Sequence, residues 1–398
     1  MDIASEPAPL TAVEPAAERL AGAPPLWPGL LLAFAATSIV VGIIWDISWH
    51  QTIGRDTFWT PAHMAIYLGG VLGGCAGGWL AIQYTFLAGP AARTASVQVL
   101  GARAPLGAWM AIWGAIAMIS SGPFDNWWHN AYGLDVKIIS PPHALLALGM
   151  FGINLGALLL VLARQNRLQD GSGSGLFIFV GGIFLALASV FVLEYTFPNM
   201  QHAAIFYEVC CLTFPVRLVT MGRAGQTSWP ATKTAAVFVI ASCLMTWILP
   251  LFPAQPKLAP IFNPVTHMVP LPFPLLLIFP AMGIDLILRS YGEARGWARV
   301  ALACVLGAVF LAVFAVVQWF FADFLLTHYA ENWFFVGNRV WSYSNQIGDW
   351  TTQFWRHNNG HPMASFFTLS ALSLSWVLAS ATSWLGLLLG GWMRRVQR

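Results

Sequence analysis

Charged residues are scarce in this chain, since Asp, Glu, Lys and Arg together make up only 9% of its 398 residues. Soluble domains contain about 25% of these residues, so the composition excludes an ordinary soluble protein and also a disordered or coiled-coil chain. The sequence has no run of Lys and Arg and a formal net charge of only +3, so we expect no nucleic-acid partner.

Cysteine is also sparse, and its positions exclude two kinds of site. The five cysteines lie singly or adjacent within apolar runs, and no Cys-x-x-Cys pair is present. They are Cys75, Cys210, Cys211, Cys243 and Cys304. This spacing argues against a disulfide framework and against a metal site built from thiolates.

Apolar sequence, by contrast, fills the chain: 58% of the residues are hydrophobic, and 27 Phe and 20 Trp are among them. Runs of about 20 apolar residues are long enough to cross the hydrocarbon core of a bilayer as helices. We count ten such runs, at residues 27–46, 61–86, 104–121, 142–163, 175–196, 202–221, 232–253, 269–289, 297–322 and 363–392. The sequence therefore predicts an integral membrane protein, an all-α polytopic bundle of about ten spanning helices.

The order of these runs divides the chain into three parts. Residues 1–25 are rich in Ala, Pro and Glu and lack the basic start of a signal peptide, so we expect a disordered cytoplasmic tail. A polar break at 164–175 separates a four-helix section, 26–165, from a six-helix section, 175–398, to which the sequence assigns no role. With both termini in the cytoplasm, 14 of the 19 Lys and Arg residues fall on the cytoplasmic side, as membrane proteins prefer.

All nine histidines lie at outer helix ends or in outer loops of this topology, and one group of them suggests a metal site. Asp46 and His50 are four residues apart, so they share a face of the first helix. A proline begins the next helix and brings His63 to the same outer level. One carboxylate and two imidazoles suit Cu, Zn or Fe, and Arg55 and Asp56 are expected to orient these ligands.

A second group repeats the pattern in the next helical hairpin, where Asp125, His129 and His143 again follow the order Asp-x3-His and then His. Twelve residues separate the histidines of the first group, and thirteen separate those of the second. A single group of this kind is best explained by solvated side chains at the membrane surface. Two groups with the same spacing favour metal binding. The remaining histidines, among them His202, are expected to be solvated at the interface.

The stretch from Asp46 to His63 also carries a family resemblance. Its pattern, Asp-x-Ser-Trp-His-Gln-x3-Arg-Asp-Thr-x2-Thr-Pro-x-His, resembles the C subunit of the copper membrane monooxygenases, the family of particulate methane monooxygenase and ammonia monooxygenase. In that family the residues that match Asp46, His50 and His63 are metal ligands. The second group is similar to the family's Asn-x3-His-x13-His element, which belongs to a neighbouring copper site, but Asp125 stands where the family has Asn.

The resemblance covers about residues 30–165 and implies a function for the whole assembly. It implies one or two copper ions, with zinc or iron as alternatives, and a complex with A-type and B-type membrane subunits. The activity implied is hydroxylation of a small apolar substrate, alkane-like or ammonia-like, by dioxygen, with quinol as a source of electrons. The implied location is a bacterial inner or intracytoplasmic membrane, with lipid around the helices and the metal sites on the periplasmic side.

Two other functions remain open from the residues alone. A non-catalytic protein that binds or delivers copper would keep the same ligands without oxidising a substrate. A secondary transporter could use outward His and Asp as proton or substrate groups, but transporters are typically built from inverted repeats with helices broken at mid-membrane. The repeat found here is confined to two hairpins and lies at the outer surface, so transport ranks third.

Overall fold

The computed structural model describes residues 20, 22–54, 59–133, 140–169, 171, 173–292, 294–358 and 361–398, and the protein is mostly helical, at 71%. The helices are α1 Leu26–Thr52, α2 Pro61–Ile82, α3 Pro90–Thr94, α4 Leu106–Tyr132, α5 Pro141–Leu168, α6 Ser174–Val190, α7 Ala204–Ala224, α8 Pro230–Ile248, α9 Ile278–Ser290, α10 Trp297–Leu325 and α11 Leu369–Met393. Two short antiparallel hairpins join β1 Val97–Val99 to β2 Ala102–Ala104, and β3 His357–Asn358 to β4 His361–Pro362.

Eight helices of the described part of the chain are long and apolar enough to cross a membrane. This finding confirms the prediction of an all-α bundle and indicates an integral membrane protein. Helix α6 is apolar but has only 17 residues. Most of the predicted disordered tail, residues 1–19 and 21, lies outside the described residues.

Close helix contacts through glycine place the first two helices side by side. A Cβ atom added to Gly42 of α1 would lie 2.7 Å from Cγ1 of Ile66 and 3.0 Å from the carbonyl oxygen of Ala62, both on α2. Only a residue without a side chain allows two backbones to approach so closely, and such contacts are the usual basis of helix association in membranes. The C-terminal part of α1 therefore lies directly against the N-terminal part of α2.

The second hairpin, α4 and α5, is packed in the same way. A Cβ atom on Gly114 would lie 2.7 Å from the amide nitrogen of Ile153, and one on Gly149 would lie 2.7 Å from the carbonyl oxygen of Gly114. The two hairpins then meet through α2 and α4, where a Cβ atom on Gly77 would lie 2.8 Å from the carbonyl oxygen of Ala108. Both hairpins consequently present the same ends of their helices to the same side of the bundle.

The predicted helix at 269–289 is wrong over its first half. Pro270, Pro272 and Pro274 occupy every second position there, and proline both lacks an N–H group and disfavours helix in the residue before it. The chain from Met268 to Leu277 is therefore not helical, and we refer to it as the extended segment; α9 begins only at Ile278. Its 13 residues span about 20 Å, less than the ~30 Å of a hydrocarbon core.

This extended segment, Met268–Leu277, is mostly buried, so its backbone groups need partners within the protein. The amide of Leu276 donates to Oε1 of Gln318, 3.1 Å away, and Nε2 of Gln318 donates to Oε1 of Gln201 at 2.8 Å. Other bonds tie the segment to α1 and are described below. One hydrophobic core runs through residues of both the N-terminal and the C-terminal section, so the two sections pack as one body around the extended segment.

The contact at Gly42 provides a test of this packing. Replacement by Ala should force α1 and α2 apart, because two of the nearest atoms belong to the backbone of α2 and cannot turn aside. We expect a loss of about 1–3 kcal/mol, measured as thermal or denaturant unfolding in detergent. The control is Gly78→Ala on α2, where an added Cβ meets nothing within 4 Å and should not lower stability. Equal stability of the two variants would contradict the proposed close packing.

Candidate metal centre

The first predicted group comes together where the C-terminal end of α1 meets the N-terminal end of α2. Asp46 and His50 lie one turn apart on α1, and Nε2 of His50 is 3.6 Å from Oδ2 of Asp46. His63 is the third residue of α2, whose start is fixed by Thr60, since the Thr60 hydroxyl oxygen accepts the amide N–H of His63 at 3.1 Å. Nε2 of His63 lies 3.1 Å from Oδ1 of Asp46.

These distances suit a metal ion. One ligand atom from each of Asp46, His50 and His63 lies within 4.8 Å of the other two, and all three side chains are partly buried. Ligands that are about 2.0–2.1 Å from a shared ion are separated from one another by roughly 3–4 Å. Small side-chain rotations would therefore bring all three onto a single ion.

The carboxylate of Asp46 gives an independent sign of a missing partner. Its Oδ1 atom is buried and accepts no hydrogen bond from the described residues, although an imidazole nitrogen lies nearby. A buried polar atom without a hydrogen bond typically costs about 1–3 kcal/mol, and more if it is charged. A cation at this position would remove that cost, so the residues present fit a bound metal.

The second predicted group is arranged around Asp125, where the C-terminal end of α4 meets the N-terminal end of α5. Nε2 of His129 lies 3.2 Å from Oδ1 of Asp125, and Nε2 of His143 lies 3.6 Å from the same atom. This oxygen is also buried without a hydrogen bond within the described part of the chain. The second carboxylate therefore repeats the feature found at Asp46.

The other ring nitrogens of the second group are held by groups that orient them. Nδ1 of His129 lies 3.1 Å from the carbonyl oxygen of Gly133, and Nδ1 of His143 lies 3.0 Å from Oγ of Ser140, the residue that precedes α5. A histidine that binds a metal through Nε2 usually donates its Nδ1 proton to such a partner. Both rings thus direct Nε2 towards Asp125.

The two groups differ in how closely their ligand atoms converge. Among the described residues, the first group has ligand atoms that all lie within 4.8 Å, and the second does not meet that limit. Because both imidazoles of the second group are close to one oxygen of Asp125, they must approach that oxygen from different sides. The ligand atoms of the second group are therefore spaced farther apart than those of the first.

A tyrosine that the sequence analysis did not single out lies between the two groups. Tyr67 is one turn beyond His63 on α2, and its hydroxyl group is hydrogen-bonded to Ser121, one turn before Asp125 on α4. The signal for this contact is the spacing of four residues on each helix, which places both side chains below the ligands. The helices that carry the two groups are thus joined by a side-chain contact one turn from the ligands.

Two further residues predicted to orient the ligands, Arg55 and Asp56, lie outside the described residues. The structure therefore describes six of the eight predicted site residues and brings them together in two groups of three.

His202 is not the solvated histidine that the sequence predicts. Its ring is stacked between Trp319 and Phe354, with centroid distances of 3.5 and 3.4 Å. Nε2 of His202 lies 3.3 Å from the carbonyl oxygen of Trp319 and 3.5 Å from Oδ1 of Asp323. This histidine anchors the connection before α7 to the outer end of α10.

The burial of His202 predicts a pH-dependent stability. Burial lowers the pKa of its imidazole below the ordinary value of 6.5, and this outweighs the opposing effects of the Trp319 carbonyl and the Asp323 carboxylate. The unfolded chain then takes up a proton first as the pH falls, so stability present above about pH 6.5 should be lost at lower pH. Between pH 7.5 and pH 5.5, the melting temperature in detergent should fall less for His202→Phe than for the wild type. This variant keeps an aromatic ring in the stack. Parallel pH profiles for the two proteins would rule this out.

Comparison of the chain with protein-family models, curated proteins and solved structures finds no match. The functional conclusion therefore depends on the two groups of ligands and on the resemblance of the Asp46–His63 stretch.

Proposed function

We propose that this chain is a membrane-embedded, copper-binding subunit of a monooxygenase complex that hydroxylates a small apolar substrate with dioxygen. The observation that carries the proposal is the convergence of one ligand atom from each of Asp46, His50 and His63, together with a buried Asp46 oxygen that has no hydrogen bond among the described residues. The repeated arrangement around Asp125 supports it.

The assignment of copper depends on two arguments, the chemistry of the ligands and the resemblance to a known family. Imidazole and carboxylate donors bind copper, zinc and iron, so the ligands alone leave three metals open. The pattern from Asp46 to His63 favours copper, because it resembles a family whose members use that metal. A bound copper ion would supply one-electron and dioxygen chemistry, whereas the protein supplies ligation, access and orientation.

The residues of this chain have separate tasks in the proposed site. Asp46 would neutralise part of the charge of the ion, while His50 and His63 would each contribute a neutral nitrogen. The contact at Gly42 holds α1 against α2, so that ligands from two helices face one another. At the second site, Ser140 and Gly133 orient His143 and His129.

The proposed topology places both sites on the periplasmic side of a bacterial inner or intracytoplasmic membrane, with both termini in the cytoplasm. It counts ten passages, made up of eight long helices, the shorter α6, and the broken passage formed by the extended segment and α9. Partners in this proposal are A-type and B-type membrane subunits, and quinol is the electron donor. The substrate would reach the sites from the surrounding lipid.

A second candidate function is copper delivery without catalysis. A difference in ligand spacing favours it: the ligand atoms of the first group all lie within 4.8 Å of one another, and those of the second group are farther apart. A site with widely spaced ligands next to a site with closely spaced ligands suits the transfer of an ion from one to the other. Transfer of copper to an acceptor protein without oxidation of any substrate would support this alternative.

Metal content is the first test of the proposed function. The purified wild-type protein should contain about one or two copper ions per chain. His50→Ala/His63→Ala and His129→Ala/His143→Ala should each lose a different one of these ions, as measured by elemental analysis and copper spectroscopy. The matched control is His267→Ala/His328→Ala, because both residues are exposed and lie outside the two groups.

The outcome that would overturn the proposal is a wild-type protein that binds no transition metal even after loading with copper. Loss of metal from the control variant to the same degree as from the ligand variants would also contradict it, since the ligands would then be elsewhere.

Conservative changes at the two carboxylates test the ligand role separately. Without metal, Asp46→Asn should be at least as stable as the wild type, because it removes a buried charge whose Oδ1 accepts no hydrogen bond from the described residues. Copper at 100 times its Kd should stabilise the wild type by about 2.7 kcal/mol and the variant much less. Asp125→Asn, which introduces the residue that the resembled family carries there, should retain its copper. Equal stabilisation of the wild type and Asp46→Asn by copper would exclude Asp46 as a ligand.

A further inference from the structure

The C-terminal section, to which the sequence assigns no role, contacts the helix that carries two of the proposed ligands. The backbone of Val269, in the extended segment, meets the side chains of Ser48 and Thr52 on α1. The Ser48 hydroxyl donates to the carbonyl oxygen of Val269 at 2.6 Å, and the amide of Val269 donates to Oγ1 of Thr52 at 2.7 Å. The amide and the carbonyl group of Val269 are thus both bound by side chains of α1.

These three residues form a continuous set of hydrogen bonds. The Thr52 hydroxyl, which accepts from Val269, also donates to the carbonyl oxygen of Ser48 at 2.6 Å. Ser48 and Thr52 are fully buried, at 0% exposure, and Val269 is 2% exposed. Water cannot replace a bond that is lost here, so each bond resists displacement of the extended segment along α1.

The position of this contact on α1 relates it to the ligands. Ser48 and Thr52 each lie two residues beyond a proposed ligand, Asp46 and His50. Two residues correspond to a rotation of roughly 200° in an α-helix, so Val269 binds the side of α1 that faces away from the ligands. Val269 therefore supports the turn of α1 that carries Asp46 and His50 from the opposite side of the helix.

The end of α1 is held by the C-terminal section at two more points. The amide of Tyr343 donates to the carbonyl oxygen of Gln51, and the amide of Lys257 donates to that of Ile53, both at 3.0 Å. The last four carbonyl groups of a helix have no partner within it, and helix ends fray where such groups are not satisfied. His50 lies in this last turn, so the order of its backbone depends on residues that lie more than two hundred positions later in the chain.

We infer that the extended segment is a positioning device for the first metal site, and that Ser48 and Thr52 are positioning residues for Asp46 and His50. This inference rests on the proposed function in assuming that these side chains bind a metal. A metal site requires its ligands to be held to within about 0.5 Å. The C-terminal section supplies that restraint on α1. With the N-terminal hairpin alone, carbonyl groups in the final turn of α1 would lack hydrogen-bond partners.

The test uses the full-length chain in detergent with His129→Ala/His143→Ala as background, so that only the first site is measured. Thr52→Val is added to remove the acceptor of the Val269 amide, and Ser48→Ala is added separately as a milder change. Thr37→Val is the matched control, because the hydroxyl of Thr37, also on α1, donates to the carbonyl oxygen of Ala33 four residues earlier. Thr52→Ser tests rescue by a residue that keeps the hydroxyl group.

The readouts are the Kd for Cu²⁺ and the electron paramagnetic resonance spectrum of the bound ion. Thr52→Val should weaken binding by roughly 10-fold or more, as loss of groups that orient metal ligands commonly does, and should change the spectrum. Ser48→Ala should act in the same direction to a smaller extent. Thr37→Val and Thr52→Ser should stay within about twofold of the background, because the ligand-bearing turn remains held in both.

Hydrogen exchange of the metal-free protein provides a readout that does not depend on the metal. Amides in 46–54 should exchange faster in Thr52→Val than in Thr37→Val. Unchanged copper binding and exchange in both Thr52→Val and Ser48→Ala would overturn the inference while leaving the metal site in place. A background protein that binds no copper would remove the proposed function for this site, and the exchange data would then decide whether the segment holds the end of α1.

Discussion

Every backbone polar group that leaves water in a membrane must find a partner inside the protein, and this constraint governs the architecture described here. Helices satisfy it internally, but the extended segment Met268–Leu277 does not. The amide and carbonyl groups of Val269 are bound by Thr52 and Ser48 of α1, and the amide of Leu276 is bound by Gln318 of α10. The need to satisfy one irregular stretch thereby joins the C-terminal section to the helix that carries the proposed ligands.

The two proposed metal sites follow from a second requirement, which is that a buried carboxylate must be compensated. Asp46 and Asp125 occupy equivalent places in two hairpins, and each holds an oxygen that lies near imidazole nitrogens without accepting a hydrogen bond among the described residues. The glycine contacts between the helices of each hairpin create this situation, because they bring a histidine of the second helix up to the carboxylate of the first. The close packing of the helices therefore determines which side chains meet at each proposed site.

The composition of the proposed sites was predictable from the sequence because it depends on short-range spacing. Asp46 and His50 are four positions apart and so lie on one face, and a proline after a threonine places His63 near the start of the next helix. The extended segment was missed because its apolar composition, which suits a spanning helix, was given more weight than its three alternating prolines, which disfavour helix. The partners of Val269 are 217 and 221 residues away, and no local pattern records such a contact. The stacking of His202 between two aromatic rings was missed for the same reason.

The long separation between α1 and the segment that holds it also has a consequence for biosynthesis. Thr52 leaves the ribosome 217 residues before Val269, which at 5–20 residues per second is a delay of about 10–45 s. During this interval both N-terminal hairpins can insert and pack, but the final turn of α1 still lacks its partners. The first proposed site therefore reaches its full geometry only after the C-terminal section has entered the membrane, and a metal ion that arrived earlier would meet ligands on a helix end that is not yet held.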